Sequence, residues 1–147
     1  MVIKMRKDDA ELLRGIQKNT KSAMKALDTL SNKVYDDDLA LQLSRQNLKY
    51  SEIYNKATNS LVEGNAEGYR PRAISERMMV GGIQANALFN NSTSHIAEMV
   101  IQGSNRGITE MCKSVNRHEN ARNAYVEIAQ ELMDFEEKNI AQLKKYL

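Results

Sequence analysis

The sequence predicts an all-α protein, an antiparallel up-and-down four-helix bundle with a short extra helix in its second crossover. Residues that favour helices, such as Leu, Ala, Met, Lys and Glu, dominate, and the only proline is Pro71. Apolar residues recur every three or four positions along four long segments, which is the spacing of one helix face. A chain of 147 residues can bury a core of its own, so residues 1–147 are assigned to one helical-bundle domain.

The first long helix is predicted over residues 8–34 and the second over 37–63. The first begins with DDAE, in which an aspartate precedes a glutamate by three residues, as in a capping box. Acidic residues also suit the positive end of the helix dipole. Three aspartates at 36–38 mark the corner before the second helix, and two glycines and a proline within 64–71 end it.

Residues 73–90 are predicted to form the short helix of the second crossover. If this segment ran unbroken to residue 115, the helix would be roughly 65 Å long, whereas the first two helices would be about 40 Å. The sequence NNSTS at 90–94 consists of residues that prefer caps and turns, so a break is expected there. The third long helix is therefore predicted over 93–116 and the fourth over 119–146.

Composition argues against several classes of function. The net charge is +2, and acidic and basic residues alternate along most of the chain, so no basic stripe for a nucleic acid is expected. No apolar run is long enough for a membrane span. The single cysteine, Cys112, excludes an internal disulfide and fits a reducing compartment. We predict a cytoplasmic protein in which Cys112 is a small buried residue of a helix.

The stretch NSTSHIAE at 91–98 allows two interpretations. His95 and Glu98 lie one helical turn apart, a spacing that could provide half of a site for iron, manganese or zinc. The four preceding polar residues also suit a helix N-terminus, where the dipole favours a carboxylate such as Glu98. The cap is the favoured interpretation, and a weak metal site at His95 and Glu98 is the alternative.

Three stretches carry a resemblance to a known superfamily: IQKNTKSAMKAL in the first helix, SHIAEMVIQGSNRGITEM in the third and LMDFEEKNIAQLKKYL in the fourth. They resemble small uncharacterised bacterial helical proteins of the ferritin-like superfamily. The resemblance implies an up-and-down bundle and no established activity. The di-metal site of that superfamily takes a glutamate from each of two helices and Glu-x-x-His from the other two. No Glu-x-x-His occurs in this sequence, so the di-metal site is expected to be absent.

Several polar residues are predicted to point into the bundle. Buried amides and hydroxyls must be hydrogen-bonded, since an unpaired one costs about 1–3 kcal/mol. Such a cluster could be a pocket for a small ligand, or a network that fixes helix register, and the network is the favoured interpretation. The residues of this candidate network are Asn19, Thr20, Gln42, Gln46 and Gln102.

The leading functional hypothesis is a non-enzymatic helical bundle that associates with itself or with a protein partner. No convergent catalytic set and no cofactor motif stand out in the sequence. The candidate contact surfaces are Met78 and Met79 on the crossover helix, and Gly103 and Gly107, which share a helix face and allow close packing. The alternative is a ferritin-like metal-binding protein with a degenerate site around His95 and Glu98. Glu52 or Glu131 would then be additional ligands.

Overall fold

The computed structural model describes residues 4–147. Over these residues the protein consists of α-helices and contains no strand, so the predicted all-α class is confirmed. The helices are α1 (Lys7–Leu30), α2 (Asp37–Glu63), α3 (Ala73–Phe89), α4 (Thr93–Arg117) and α5 (Asn123–Leu143), followed by a 3-10 turn at Lys144–Tyr146.

The predicted break between the third and fourth segments is present. α3 ends at Phe89 and α4 begins at Thr93, within one residue of the prediction. The side-chain oxygen of Ser92 accepts a hydrogen bond from the backbone N–H of His95 at 3.2 Å, which caps α4. The interpretation of NSTSHIAE as a helix cap is thus confirmed, and Ser92 is the capping residue.

Two helix ends differ from the prediction. α1 ends at Leu30 and not at residue 34, because its last turn tightens at Ser31: the backbone N–H and the hydroxyl of Ser31 both donate to the carbonyl of Asp28, at 3.3 and 2.8 Å. α5 begins at Asn123 and not at residue 119. The intervening corner is held by α1, since the Asp9 carboxylate accepts the backbone N–H of Arg122 at 2.8 Å.

The capping contact of α1 also differs from the expected one. The acid that reaches back to the helix start is Asp9, whose carboxylate accepts the backbone N–H of Arg6 at 3.0 Å. Glu11 instead pairs with His118 at the end of α4. Asp9 is fully buried and bonds to both α1 and the start of α5, so it joins these two helix ends.

Contacts between side chains define the directions of the helices. α1 and α2 are antiparallel, because Gln17 bonds to Thr58 and Asp28 bonds to Asn47. α4 is antiparallel to both α1 and α5, with which it packs. α5 packs against α2, also in the opposite direction.

α3 returns the chain along the outside of α1. The connection after α2 is held to α1 where Gln17 accepts the backbone N–H of Tyr69 at 2.7 Å. Further along, Lys25 of α1 lies 3.8 Å from Glu76 of α3. α3 therefore runs parallel to α1, and α2 and α4 run in the same direction. All five helices, α3 included, alternate in direction along the chain. The four long helices alone run up, down, down and up, which differs from the predicted up-and-down order.

One apolar core joins the long helices. Most of the predicted apolar positions of the four long helices lie in this core or pack against it. Cys112 is exposed, contrary to the prediction, with its Sγ 3.5 Å from the sulfur of Met133. α3 contributes a single buried residue, Ala87. None of the described helices has both the length and the apolarity needed to cross a membrane. The largest fully buried apolar side chains are Leu12, Leu13, Ile16, Leu39, Ile53, Leu61, Ile96, Met111, Leu132 and Leu143.

Candidate functional site

The outward surface of α3 is the main apolar region that the fold leaves uncovered. Its four large exposed residues are Ile74 at 75%, Met78 at 73%, Leu88 at 83% and Phe89 at 94% of their maximal accessibility. Isolated exposed apolar residues are normal, whereas several on one helix make it a candidate interaction surface. Met79, the other predicted contact residue, is only partly exposed.

The outward residues of α3 follow the spacing of a coiled-coil seam. Exposed positions alternate in steps of four and three residues, which keeps them in line along the helix. Two of them are small, and a methyl group added at Gly81 would meet no atom within 4 Å. We call this set the α3 seam; it consists of Ile74, Met78, Gly81, Ala85 and Leu88, all exposed.

A second region is a buried polar cluster in the bundle interior. Glu136 of α5 is 1% exposed, and its Oε2 accepts a hydrogen bond from the Tyr50 hydroxyl at 3.2 Å. Gln46 and Asn139 are also buried. Four buried polar atoms of this cluster have no hydrogen-bond partner among residues 4–147: Nε2 and Oε1 of Gln46, Oε1 of Glu136 and Nδ2 of Asn139.

Burial controls the protonation of this cluster. It raises the pKa of Glu136 to about 8, against the smaller opposing effect of the hydrogen bond from Tyr50. Burial is also the largest cause of a raised pKa of the Tyr50 hydroxyl, and the nearby charge of Glu136 raises that pKa further. At neutral pH Glu136 is therefore mostly a neutral carboxylic acid, and Tyr50 keeps its proton as a hydrogen-bond donor.

A glycine makes room for this carboxyl group. A methyl group added at Gly107 of α4 would lie 2.7 Å from Oε1 and 2.9 Å from the carboxyl carbon of Glu136. The Gly107 carbonyl also accepts a hydrogen bond from Asn19 of α1 at 2.9 Å. Gly107 is thus a close internal contact, whereas Gly103 is exposed and nothing lies near it. The close packing predicted for this glycine pair occurs at Gly107 alone.

The predicted polar network is only partly assembled. Gln46 is buried, and Thr20 is buried but bonds to the Ile16 carbonyl of its own helix at 2.8 Å. Gln42 joins α2 to α5 through an exposed hydrogen bond, its amide donating to Gln142 at 2.6 Å. Gln102 is exposed, contrary to the prediction, and its amide donates to Glu98 at 3.4 Å.

The residues at the centre of the polar cluster were not identified from the sequence. Glu136 and Asn139 occupy the buried face of α5 between Leu132 and Leu143, in steps of four, three and four residues. That regular spacing was the available signal, because it places two polar residues at core positions. Phe135, the residue before Glu136, is by contrast only partly buried.

A shallow surface pocket of about 270 Å³ lies over this cluster, between α2 and α5. Gln46 and Asn139 are part of its wall, so the buried amides lie next to a solvent-exposed depression. Its remaining wall residues are Gln42, Arg45, Lys49, Phe135, Lys138 and Gln142, three of which are cationic.

The two residues of the predicted metal site are neighbours, and within residues 4–147 no third metal-ligand residue joins them. Nδ1 of His95 lies 3.9 Å from the Glu98 carboxylate, and Glu98 is largely exposed. Glu52 and Glu131, the predicted additional ligands, both form ion pairs with Lys49. Its Nζ lies 3.3 Å from the Glu52 carboxylate and 3.0 Å from that of Glu131. Partial burial opposes the ionisation of Glu131, but hydrogen bonds from Lys56 and Lys49 outweigh it and lower the pKa of Glu131.

A cluster of three metal-ligand residues does occur elsewhere within the described part of the chain. Asp8 and Glu11 of α1 and His118 at the end of α4 each offer an atom, and these atoms lie within 4.8 Å of one another. No local sequence pattern indicates this group, because His118 is more than one hundred residues from the two acids.

Comparison with known proteins gives no relative. No protein-family model, curated protein or solved structure matches the chain. The surfaces and side-chain clusters described above are therefore the basis for inferring a function.

Proposed function

We propose that the protein is a non-enzymatic helical association module, and that its α3 seam packs against the α3 seam of a second copy. The observation that supports this proposal is the alignment of five exposed, uncharged positions along a helix that is otherwise attached to the bundle through α1. From Ile74 to Leu88 the seam is about 21 Å long, at 1.5 Å per residue.

The order of large and small residues along the seam favours a second copy as the occupant. In an antiparallel pair, Ile74 can lie opposite Ala85 of the partner, and Met78 opposite Gly81. The two-fold axis repeats both contacts, so Ile74 and Met78 of each copy meet a small residue of the other. In the same register Leu88 falls opposite Pro71, just before the partner's α3 begins. Such self-complementarity is what a symmetric dimer interface requires. It also lets the helices approach closely enough to exclude water from the apolar side chains.

Charge does not oppose this pairing. α3 contains one acid, Glu76, and one base, Arg77, and the acid is directed towards Lys25 of α1. The same antiparallel register brings the exposed Arg70–Arg72 turn of one copy near Phe89 of the other, where an arginine can stack on the aromatic ring. The seam is therefore apolar along its length, with complementary groups at its ends.

We also infer that the bundle itself has the ferritin-like arrangement. The support is topological: a long connection containing α3 separates two helices that run in the same direction, and ferritin-like bundles have one long crossover of this kind. In this interpretation α3 is an elaboration of the crossover that has acquired an apolar outer face. The long helices form the scaffold that presents it.

The proposal predicts a dimer that is disrupted by changes in the seam. Wild-type protein should sediment with the mass of two chains at micromolar concentration, and Met78→Glu should weaken dimerisation at least 30-fold, about 2 kcal/mol, because it buries a charge. Leu48→Glu is the matched control, since Leu48 is 74% exposed on α2. Sedimentation velocity over a concentration series measures both effects.

A second variant separates specific packing from general stickiness. Gly81→Leu makes the seam more apolar but fills the space that Met78 of the partner would occupy, so dimerisation should weaken. Gly103→Leu, at an exposed glycine of α4, should leave it unchanged. A wild-type monomer at all concentrations would contradict the proposal. A dimer broken only by Gly103→Leu would move the interface to α4.

A further inference from the structure

Three side chains converge where α1 begins and α4 ends, far from the α3 seam along α1. Asp8 and Glu11 are one helical turn apart on α1, so both carboxylates lie on the same face. His118 follows the last residue of α4 and brings its ring to them, with Nε2 2.9 Å from the Glu11 carboxylate. The side chain of His118 is 12% exposed, so its position is set by its neighbours and not by solvent.

The orientation of the His118 ring is fixed from its other side. Nδ1 lies 2.7 Å from the backbone carbonyl of Ser114, which can only accept, so Nδ1 carries a hydrogen and donates it. Nε2 is consequently the nitrogen directed at the acids. A metal-binding histidine commonly donates its remote N–H to a backbone carbonyl in this way, which fixes the ring and strengthens the ligand nitrogen.

We propose that Asp8, Glu11 and His118 form a binding site for a divalent transition metal, with Zn²⁺ as the ion of best fit. One imidazole nitrogen and carboxylate oxygens make a mixed ligand set that suits Zn²⁺. Two carboxylates balance the charge of the ion. Binding replaces the Nε2 proton, which leaves to solvent, by a bond from the nitrogen lone pair to the metal.

The geometry requires only small movements. Ligand atoms about 2.1 Å from a tetrahedral zinc ion lie about 3.4 Å apart, and the three atoms here are already within 4.8 Å of one another. Glu11 and His118, now 2.9 Å apart, would separate slightly. Asp8 can keep one oxygen on the backbone N–H of Asn120, which lies at 3.0 Å. All three residues are partly exposed, so water can complete the coordination.

Two features of the chain define the competing explanation. Without a metal, a doubly protonated His118 would donate to both Ser114 and Glu11, and the cluster would be an ordinary ion pair. The exposed ammonium of Lys7 also lies 3.8 Å from Glu11 and competes weakly for it. A bound metal would differ from this ion pair by joining Asp8 to the other two groups.

The test is a Zn²⁺ titration of the full chain without a histidine tag, followed by competition with a chromophoric chelator. We expect one ion per chain, and more than about tenfold weaker binding in His118→Gln and in Glu11→Gln. His95→Gln is the matched control, because the chain contains only two histidines, and it should bind as the wild type does. Circular dichroism verifies that each variant is folded.

Substitution with Co²⁺ gives a second, spectroscopic measurement. Intense visible absorption that is present in the wild type and in His95→Gln, but lost in Glu11→Gln, supports the site even if His118→Gln fails to fold. Binding that survives both His118→Gln and Glu11→Gln, or binding lost only in His95→Gln, overturns the proposal. Absence of stoichiometric binding by the wild type also overturns it and leaves the ion pair. None of these outcomes depends on whether the α3 seam forms a dimer.

Discussion

Replacing Glu136 by Gln should raise the free energy of unfolding at alkaline pH. The free energy of unfolding of the wild type should decrease between pH 5 and pH 9, and the substitution should remove most of that decrease. Glu136 is almost completely buried, and its Oε1 has no partner among the described residues. Ionisation would place a negative charge in the bundle interior with only the Tyr50 hydroxyl to stabilise it. A glutamine has nearly the same shape and stays neutral at every pH.

The direction of the pH effect follows from the two pKa values. The carboxyl group has an ordinary value of 4.5, and burial raises the pKa of Glu136 to about 8 in the folded protein. Between these values the folded chain holds a proton that the unfolded chain has lost, so a rise in pH favours unfolding. The free energy of unfolding begins to decrease near the pKa of the unfolded chain and stops decreasing above the pKa of the folded chain. Between pH 5 and pH 9 the decrease amounts to about 4 kcal/mol.

Urea unfolding at pH 5, 7 and 9 measures this effect. At pH 5 the wild type and Glu136→Gln should differ by about 1 kcal/mol or less, because both side chains are neutral and can accept from Tyr50. At pH 9 the variant should be the more stable. Glu137→Gln is the control, since it changes the neighbouring, exposed glutamate and should retain the wild-type pH dependence. Parallel curves for wild type and Glu136→Gln would show that Glu136 is not the group responsible.

Local sequence patterns were sufficient to predict the helices. The periodicity of apolar residues identified the four long helices and α3, and the run NNSTS placed the break that Ser92 caps. Of the two ends that differed, the end of α1 depends on a local contact of Ser31, and the start of α5 is fixed by a distant group. The corner before α5 depends on Asp9, more than one hundred residues away in sequence, and no local pattern contains that information.

The candidate sites were predicted less completely, because a helical stripe gives the spacing of a face but not its orientation in the bundle. Gln46 was correctly placed inside, but Gln102 lies on the solvent side of α4. On α3 a contact surface was predicted at Met78 and Met79, whereas the helix has an inner face against α1 and the outer α3 seam, and Met79 is only partly exposed. Glu136 was missed because a charged residue is rarely assigned to a core position.

Gly107→Ala should destabilise the protein by about 1–3 kcal/mol, although alanine is the better helix former. The added methyl group would overlap the carboxyl group of Glu136, and that group is enclosed by the bundle. Moving α4 away instead would lengthen the hydrogen bond from Asn19 to the Gly107 carbonyl. Gly103→Ala, four residues earlier on the same helix, meets no atom and should stabilise by about 0.5–1 kcal/mol.

A double-mutant cycle identifies Glu136 as the cause of the effect. In a Glu136→Ala background the carboxyl group is gone, so adding Gly107→Ala should cost little or be favourable, with a coupling energy of about 1–3 kcal/mol. Chemical denaturation of the four proteins at pH 5, where the carboxyl group is neutral, separates packing from charge. The contrary result is that Gly107→Ala is equally destabilising in both backgrounds. The glycine would then be required for the close contact between α4 and α1 at Asn19, and not for the packing of the Glu136 carboxyl group. If Gly107→Ala costs little in the Glu136→Ala background, then Gly107 and Glu136 are energetically coupled. The glycine would be required because the buried carboxyl group occupies the space of a side chain at position 107.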